Sequence, residues 1–268
     1  MKNTGKSSEA DKDFNETLTS AFLQREVVVD YYFHQIHQTI PPRVCIVHDG
    51  QDLVKMDFRN ILQTSGGEVP IIFAAVHCGK ERVEEYGMRC GTDYLNRGKN
   101  AAAYEDFIIK ELLPLLISRY PQADFSKTII AGFSMGGLKA LDIAWNNPGK
   151  FDWVAVFSGS LWWRSVAADD PGYHENLHRM MHRQVAESEV PPNLKFFFQC
   201  GEEDESADRN KNGVIDSIDD TIDLMKLLHK KGKLEGKDFF YYQMPEGKHD
   251  ISSWAEAWPV FLQLMNNY

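Results

Sequence analysis

The chain has 268 residues, of which 43% are hydrophobic and 25% charged. This is enough to bury a large core in one α/β domain and excludes wholesale disorder. Lys and Arg total 29 against 39 Asp and Glu, a formal net charge of -10. That balance argues against nucleic acid or an anionic membrane surface as partner, since both draw on concentrated positive charge. No apolar run reaches the roughly 18 to 20 residues of a membrane helix. The first eighteen residues are polar and lack the apolar stretch of a signal peptide, so a flexible tail over 1–18 and a cytoplasmic location are expected. The cysteines Cys45, Cys78, Cys90 and Cys200 form no CxxC pair and are expected as free thiols.

Along the chain, short apolar runs alternate with longer helical patterns. Strands are predicted at Arg25 to Phe33, Arg43 to His48, Pro70 to His77, Thr128 to Phe133, Phe151 to Phe157, Leu194 to Cys200 and Phe239 to Gln243. Helices are predicted at Tyr104 to Tyr120, Gly136 to Asn147, Asp219 to Lys231 and Ser252 to Asn266. Runs that are apolar on consecutive residues point to strands covered on both faces, hence a mostly parallel sheet between helices. Residues 19–268 then form one domain, with a polar excursion over 161–191 read as a partial lid. Ligands of such sheets bind beyond the carboxyl ends of the strands, so the residues following each strand matter most.

Gly132-Phe133-Ser134-Met135-Gly136-Gly137 follows the strand TIIAGF and opens a helix. This is G-x-S-x-G in the setting that gives it meaning: a sharp turn lifts the serine oxygen off the sheet and aims the Met135 N–H at a developing oxyanion. A serine nucleophile needs a base and an orienting acid, in the chain order Ser, acid, His for the α/β-hydrolase fold. Gly201-Glu202-Glu203-Asp204-Glu205 and Gly247-Lys248-His249-Asp250 follow the last two strands in that order. His249 is the candidate base. Asp204 is the candidate acid, with Glu203 and Glu205 as alternatives beside it. The second oxyanion donor is expected after the strand RVCIVH, from the backbone N–H of Gln51 or Asp52.

Other histidines are poorer candidates. His174, His178 and His182 recur every four residues, but the run carries no matching carboxylates and reads as a solvated helix rather than a zinc site. Asp208 to Asp219 (DRNKNGVIDSID) matches a calcium loop at Asp208, Asn210, Asn212, Gly213 and Asp216, with Asp219 in place of the usual Glu. The same residues also suit an Asn-Gly turn leading into a helix whose N-terminus favours carboxylates. Either way the chemistry requires no cofactor. Trp162 and Trp163 follow the strand FDWVAVF and read either as a stacking platform for a ligand or as anchors of the excursion.

With these residues in hand, the chain resembles the esterase D type esterases of the α/β-hydrolase superfamily. That group includes enterobactin-type, feruloyl and acetyl xylan esterases, S-formylglutathione hydrolases and mycolyltransferases. VCIVHDGQDL, ERVEEYG, AGFSMGGLKAL, FSGSLWW and GKHDISSW carry the resemblance from about Arg25 onward. It implies an α/β-hydrolase fold and hydrolysis of a small-molecule carboxylic ester, with acyl groups on sugars or aromatic acyl esters as candidate substrates. Ser134, Asp204 and His249 would be the triad. It also implies that Arg82, Glu85 and Tyr86 shape the cleft, with Arg82 and Tyr86 toward substrate. Acyl transfer on the same fold and a non-catalytic binding module are the alternatives. Two departures stand out: plant-wall esterases carry a leader, and siderophore esterases favour cationic sites, whereas this chain is acidic.

Overall fold

The computed structural model describes residues 13–36 and 39–268. Eight strands form one sheet in the order β1-β2-β4-β3-β5-β6-β7-β8. They are β1 (Phe14–Ser20), β2 (Arg25–His34), β3 (Arg43–His48), β4 (Ile71–Val76), β5 (Ile129–Phe133), β6 (Trp153–Phe157), β7 (Lys195–Glu203) and β8 (Phe239–Lys248). β1 and β2 run antiparallel; from β4 to β8 every neighbouring pair is parallel, with Ile46 opposite both Ala74 and Ile130, and Val154 opposite Phe196.

Among the described residues the α-helices are α1 (Gly50–Lys55), α2 (Phe58–Thr64), α3 (Arg82–Glu85), α4 (Ala101–Phe107), α5 (Leu113–Arg119), α6 (Met135–Asn146), α7 (Glu175–His178), α8 (Met180–Glu187), α9 (Asp216–Lys230) and α10 (Ile251–Met265). A π-helical turn at Ile108–Leu112 joins α4 to α5. It precedes Pro114, which cannot donate the normal helical bond. No helix among the described residues is long and apolar enough to cross a membrane.

The strands are apolar on consecutive residues because each face meets a different layer. Val44, Ile46, Ile130 and Val154 face a core shared with Leu138, Leu141, Leu112 and Leu224 of the helices on one side. Cys45, Val47, Ile129 and Trp153 face a second core with Phe58, Trp258 and Phe261 on the other. This is the α/β-hydrolase arrangement, and the predicted strands and long helices all form.

One expectation is corrected. Residues 14–18 belong to β1 rather than to a tail; the structure of 1–12 lies outside the described residues. Its polar sequence escaped notice because an edge strand has an exposed face and few apolar demands. β1 is held by Phe14 stacking on Tyr31 at 4.5 Å and by Glu16, which accepts from Tyr31 Oη at 2.6 Å and pairs with Arg119. The 161–191 excursion, expected as a partial lid, carries Trp162 to the cavity and is anchored in the core at both ends. Leu161, Met180, Met181 and Val185 are core residues, and Arg179 is almost wholly buried against Asp220.

Candidate active site

Five strand ends meet along one edge of the sheet. β3 ends at Asp49, β5 at Ser134, β6 at Ser158, β7 at Asp204 and β8 at His249, each the residue that follows its strand or closes the turn behind it. A cavity of about 370 Å³ opens there. Arg82, Ser134, Met135, Ser158, Ser160, Trp162, Asp204 and His249 line it together with Gly159, Glu205 and Ser217.

Ser134 has φ 54° and ψ −122°, a strained backbone for a residue with a side chain. The turn closes because Gly132 and Gly136 pass without side chains: a Cβ on Gly132 would overlap the Gly136 carbonyl. Ser134 N–H donates to Phe157 O at 2.9 Å, and Ser160 N–H donates to Ser134 O at 3.0 Å, so β6 and its following loop hold the turn. The Ser134 hydroxyl lies 2.9 Å from His249 Nε2 and 3.3 Å from the Ser160 hydroxyl.

His249 is placed by the start of α10. Asp250 caps that helix by accepting from Ser253 N–H at 2.9 Å, and Ser253 Oγ in return accepts from Lys248 N–H at 2.8 Å. This reciprocal cap fixes the backbone on both sides of the histidine. The ring meets Trp254 edge-on, centroids 5.3 Å apart at 79°. Enclosure within the cleft holds the imidazole pKa below its ordinary value. The Asp204 carboxylate opposes that shift and the Arg82 charge reinforces it.

Of the three adjacent acids, Asp204 is buried while Glu203 and Glu205 are exposed. β7 and β8 approach closely enough here that a Cβ on Gly201 would overlap the Gly247 carbonyl of β8, and Asp204 Oδ1 folds back to 2.8 Å from the same point. Burial raises the Asp204 pKa, and a hydrogen bond from the Ser158 hydroxyl at 3.0 Å and the nearby imidazole work against the rise. Asp204 Oδ2 is buried and takes no hydrogen bond.

Met135 opens α6, so its N–H is among the unpaired first-turn donors. α1 begins beside it: a Cβ on Gly136 would lie 2.8 Å from Asp49 Oδ2, the residue before α1. Gln51 sits in the first turn of α1 and is outside the cavity lining; its side chain donates to Asp49 Oδ1 at 3.2 Å and accepts from Cys78 N–H at 3.1 Å. Arg82 grips both Asp49 oxygens at 2.7 Å while facing the cavity.

Tyr86 and Trp163 do not reach the cavity, which corrects their reading as substrate contacts. Tyr86 is fully buried; its hydroxyl accepts from Asp49 N–H at 3.1 Å and supports the β3–α1 turn from beneath. Trp163 is also fully buried, filling the space left by Gly87 and Gly98 and anchoring the excursion. Trp162 lines the cavity, with the Arg97 and Arg164 guanidinium groups 5.5 and 6.0 Å from its ring. Sequence reasoning missed Asp49, Ser158, Ser160 and Trp254. Their one shared signal was position, within three residues of a strand end or on the first turn of the helix after His249.

The remaining candidates lie elsewhere. His174 N–H donates to His178 Nδ1, whereas His182 is buried on α8, so the expected solvated helix is half core. In Asp208–Asp219, Asp208 accepts from the N–H groups of Asn212 and Gly213, and Asp219 Oδ2 accepts from the amides of Asn210 and Asn212. Asp216 pairs with Arg209 at 3.1 Å. Among the described residues no group of three or more His, Cys, Asp or Glu gathers as a metal-ligand set.

Comparison with known proteins adds ancestry to this geometry. The family model described as "Putative esterase" matches residues 20–263. The siderophore triacetylfusarinine C esterase of Aspergillus fumigatus is 23% identical over 180 residues, 59% of each chain. The match thus spans little more than half the length of that relative. The iron(III) salmochelin esterase of Escherichia coli is 40% identical over 68 residues, 24% of this chain and 17% of its own. An IroE-like serine hydrolase from Shewanella oneidensis superposes with a TM-score of 0.71 at 18% identity, covering 94% of this chain and 80% of the other.

Proposed function

The chain belongs to this esterase family, and on that premise we propose that it is a serine esterase hydrolysing a small-molecule carboxylic ester through an acyl-enzyme. The observation that carries the reading is the 2.9 Å approach of His249 Nε2 to a serine hydroxyl held on a strained strand-to-helix turn. An inert glycine-rich turn has no use for that strain or for a base at hydrogen-bond distance.

In this reading Ser134 Oγ attacks the ester carbonyl carbon as His249 Nε2 takes its proton. The Met135 N–H receives the oxyanion, and the second donor comes from the β3–α1 turn that carries Gly50 and Gln51, since the Asp52 N–H is already given to Asp49 O at 2.9 Å. His249 then returns the proton to the departing alcohol. Water, deprotonated by the same nitrogen, cleaves the acyl-enzyme and restores Ser134. Asp204 holds the imidazole and balances its charge when protonated. Arg82, neutralised by Asp49, keeps the β3–α1 turn in place and presents one edge of its guanidinium to the cavity.

Trp162 offers a flat ring to an aromatic or sugar portion of the substrate. The chemistry calls on no cofactor; calcium in the Asp208–Asp219 loop would stiffen the segment behind Asp204 and take no part in bond changes. The test is labelling with a fluorophosphonate, which reacts with an activated serine. Wild type labels and Ser134→Ala does not; an unlabelled wild type overturns the proposal. The relatives' named substrates, iron-chelating siderophores among them, set the first panel of esters to assay.

A further inference from the structure

We propose that Trp254 and Ser158 are positioning residues that hold the acid of the site: the Trp254 indole N–H fixes the Ser158 hydroxyl, and that hydroxyl is donated to Asp204 Oδ1. This rests on the reading of Ser134, His249 and Asp204 as the triad.

The polarity of the chain follows from what each group can do. An indole N–H only donates, a carboxylate only accepts, and a hydroxyl has one proton to give. Trp254 Nε1 lies 3.0 Å from Ser158 Oγ, so it occupies a lone pair of the hydroxyl. The single hydroxyl proton then has two acceptors in range, Asp204 Oδ1 at 3.0 Å and Gln199 Oε1 at 3.5 Å. The shorter, charge-assisted bond wins.

Ser158 itself is almost wholly buried and stands at φ 44°, a left-handed backbone that a side-chain-bearing residue adopts at a cost. Its N–H donates to Gln199 O at 2.8 Å, which pins the residue where β6 ends beside β7. The strained backbone therefore delivers one hydroxyl to one carboxylate oxygen.

Two consequences bear on catalysis. With Oδ1 occupied, the oxygen of Asp204 left without a partner is Oδ2, which remains for the Nδ1–H of His249. Trp254 also packs on the His249 ring and stacks on Phe133 at 5.2 Å and 23°, next to the nucleophile. One side chain on the first turn of α10 thus steadies the base by contact and the acid through Ser158.

The experiment uses Trp254→Phe, which keeps a ring and removes the N–H, and Ser158→Gly, which removes the hydroxyl at a φ that glycine adopts freely. Asp204→Asn and the double variant Ser158→Gly/Asp204→Asn complete the set. Melting curves establish that each is folded. We expect Ser158→Gly to lose roughly tenfold in kcat, the effect of one charge-assisted hydrogen bond, and Trp254→Phe to lose less in the same direction. KM should hold within about twofold, since neither group carries substrate in this reading. The acid limb of kcat/KM in Ser158→Gly should move to higher pH, because the carboxylate has lost a partner for its charged form. On the Asp204→Asn background, Ser158→Gly should cost almost nothing further.

Wild-type kcat and pH profile in both single variants, with Asp204→Asn crippled, would overturn the relay and leave the triad standing. So would an undiminished effect of Ser158→Gly on the Asp204→Asn background. An active Asp204→Asn would remove the triad reading and the relay with it. Should Ser158→Gly fail to fold, Trp254→Phe decides the matter alone.

Discussion

Ser134 and His249 are 115 residues apart in sequence, yet the hydroxyl of one lies 2.9 Å from Nε2 of the other. Neither residue makes this contact by local geometry. β5 ends in a turn that throws Ser134 forward, and the cap of α10 turns His249 back toward it. Hydrolysis of p-nitrophenyl acetate should fall by several orders of magnitude in Ser134→Ala, with the melting temperature little changed. Retention of wild-type turnover would remove the serine from the mechanism.

The same pair sets the pH dependence. His249 accepts a proton only when neutral, and partial desolvation by the cleft walls favours the neutral ring. A lowered pKa brings the base into its working form at lower pH. The rising limb of kcat/KM should therefore lie below the ordinary histidine value of about 6.5. A limb above that value, with chemistry limiting, would mean that the Asp204 charge outweighs desolvation.

Trp162→Ala should raise KM for aromatic esters while leaving acetyl esters nearly unaffected. A stacked ring pair is worth about 0.5–1.5 kcal/mol, so the change should be about tenfold at most. Equal losses for both substrates would assign Trp162 to packing of the excursion instead.

Arg179 and Asp220, both buried, pair at 2.6 Å and tie the 161–191 excursion to α9; Arg209, from the loop behind Asp204, also reaches Asp220. Arg179→Ala leaves the buried Asp220 carboxylate with one guanidinium instead of two. Stability should drop by on the order of 3 kcal/mol. A melt within one degree of wild type would show that Arg209 alone satisfies the carboxylate.

In the Asp208–Asp219 loop, the side chains already answer one another: Asp208 caps two backbone N–H groups and Asp219 holds two amides. Asp208→Ala should cost about 1 kcal/mol, as loss of a comparable cap does. The melting temperature of chelator-treated wild type should not respond to millimolar calcium. A rise of several degrees, absent in Asp208→Ala, would make the loop a calcium site after all.

The chain's own pattern was sufficient for the parallel sheet, the elbow at Ser134 and the order of its candidate partners. Consecutive apolar residues require two covered faces, and glycines two residues either side of Ser134 let the chain turn sharply after β5 where a Cβ would clash. β1 was missed because its place at the sheet edge depends on Tyr31 and Arg119, distant residues that give FNETLTS a partner. Composition could not separate Asp204 from Glu203 and Glu205, since all three are short-range neighbours with the same chemistry; of the three only Asp204 is buried, where the Ser158 hydroxyl meets it. Nor could it tell Trp162 from Trp163, two identical side chains of which one faces the cavity and the other the core. The link from Trp254 through Ser158 to Asp204 spans three strand and helix ends and has no local signature, because hydrogen bonds between distant elements exist only once the sheet has brought those ends together.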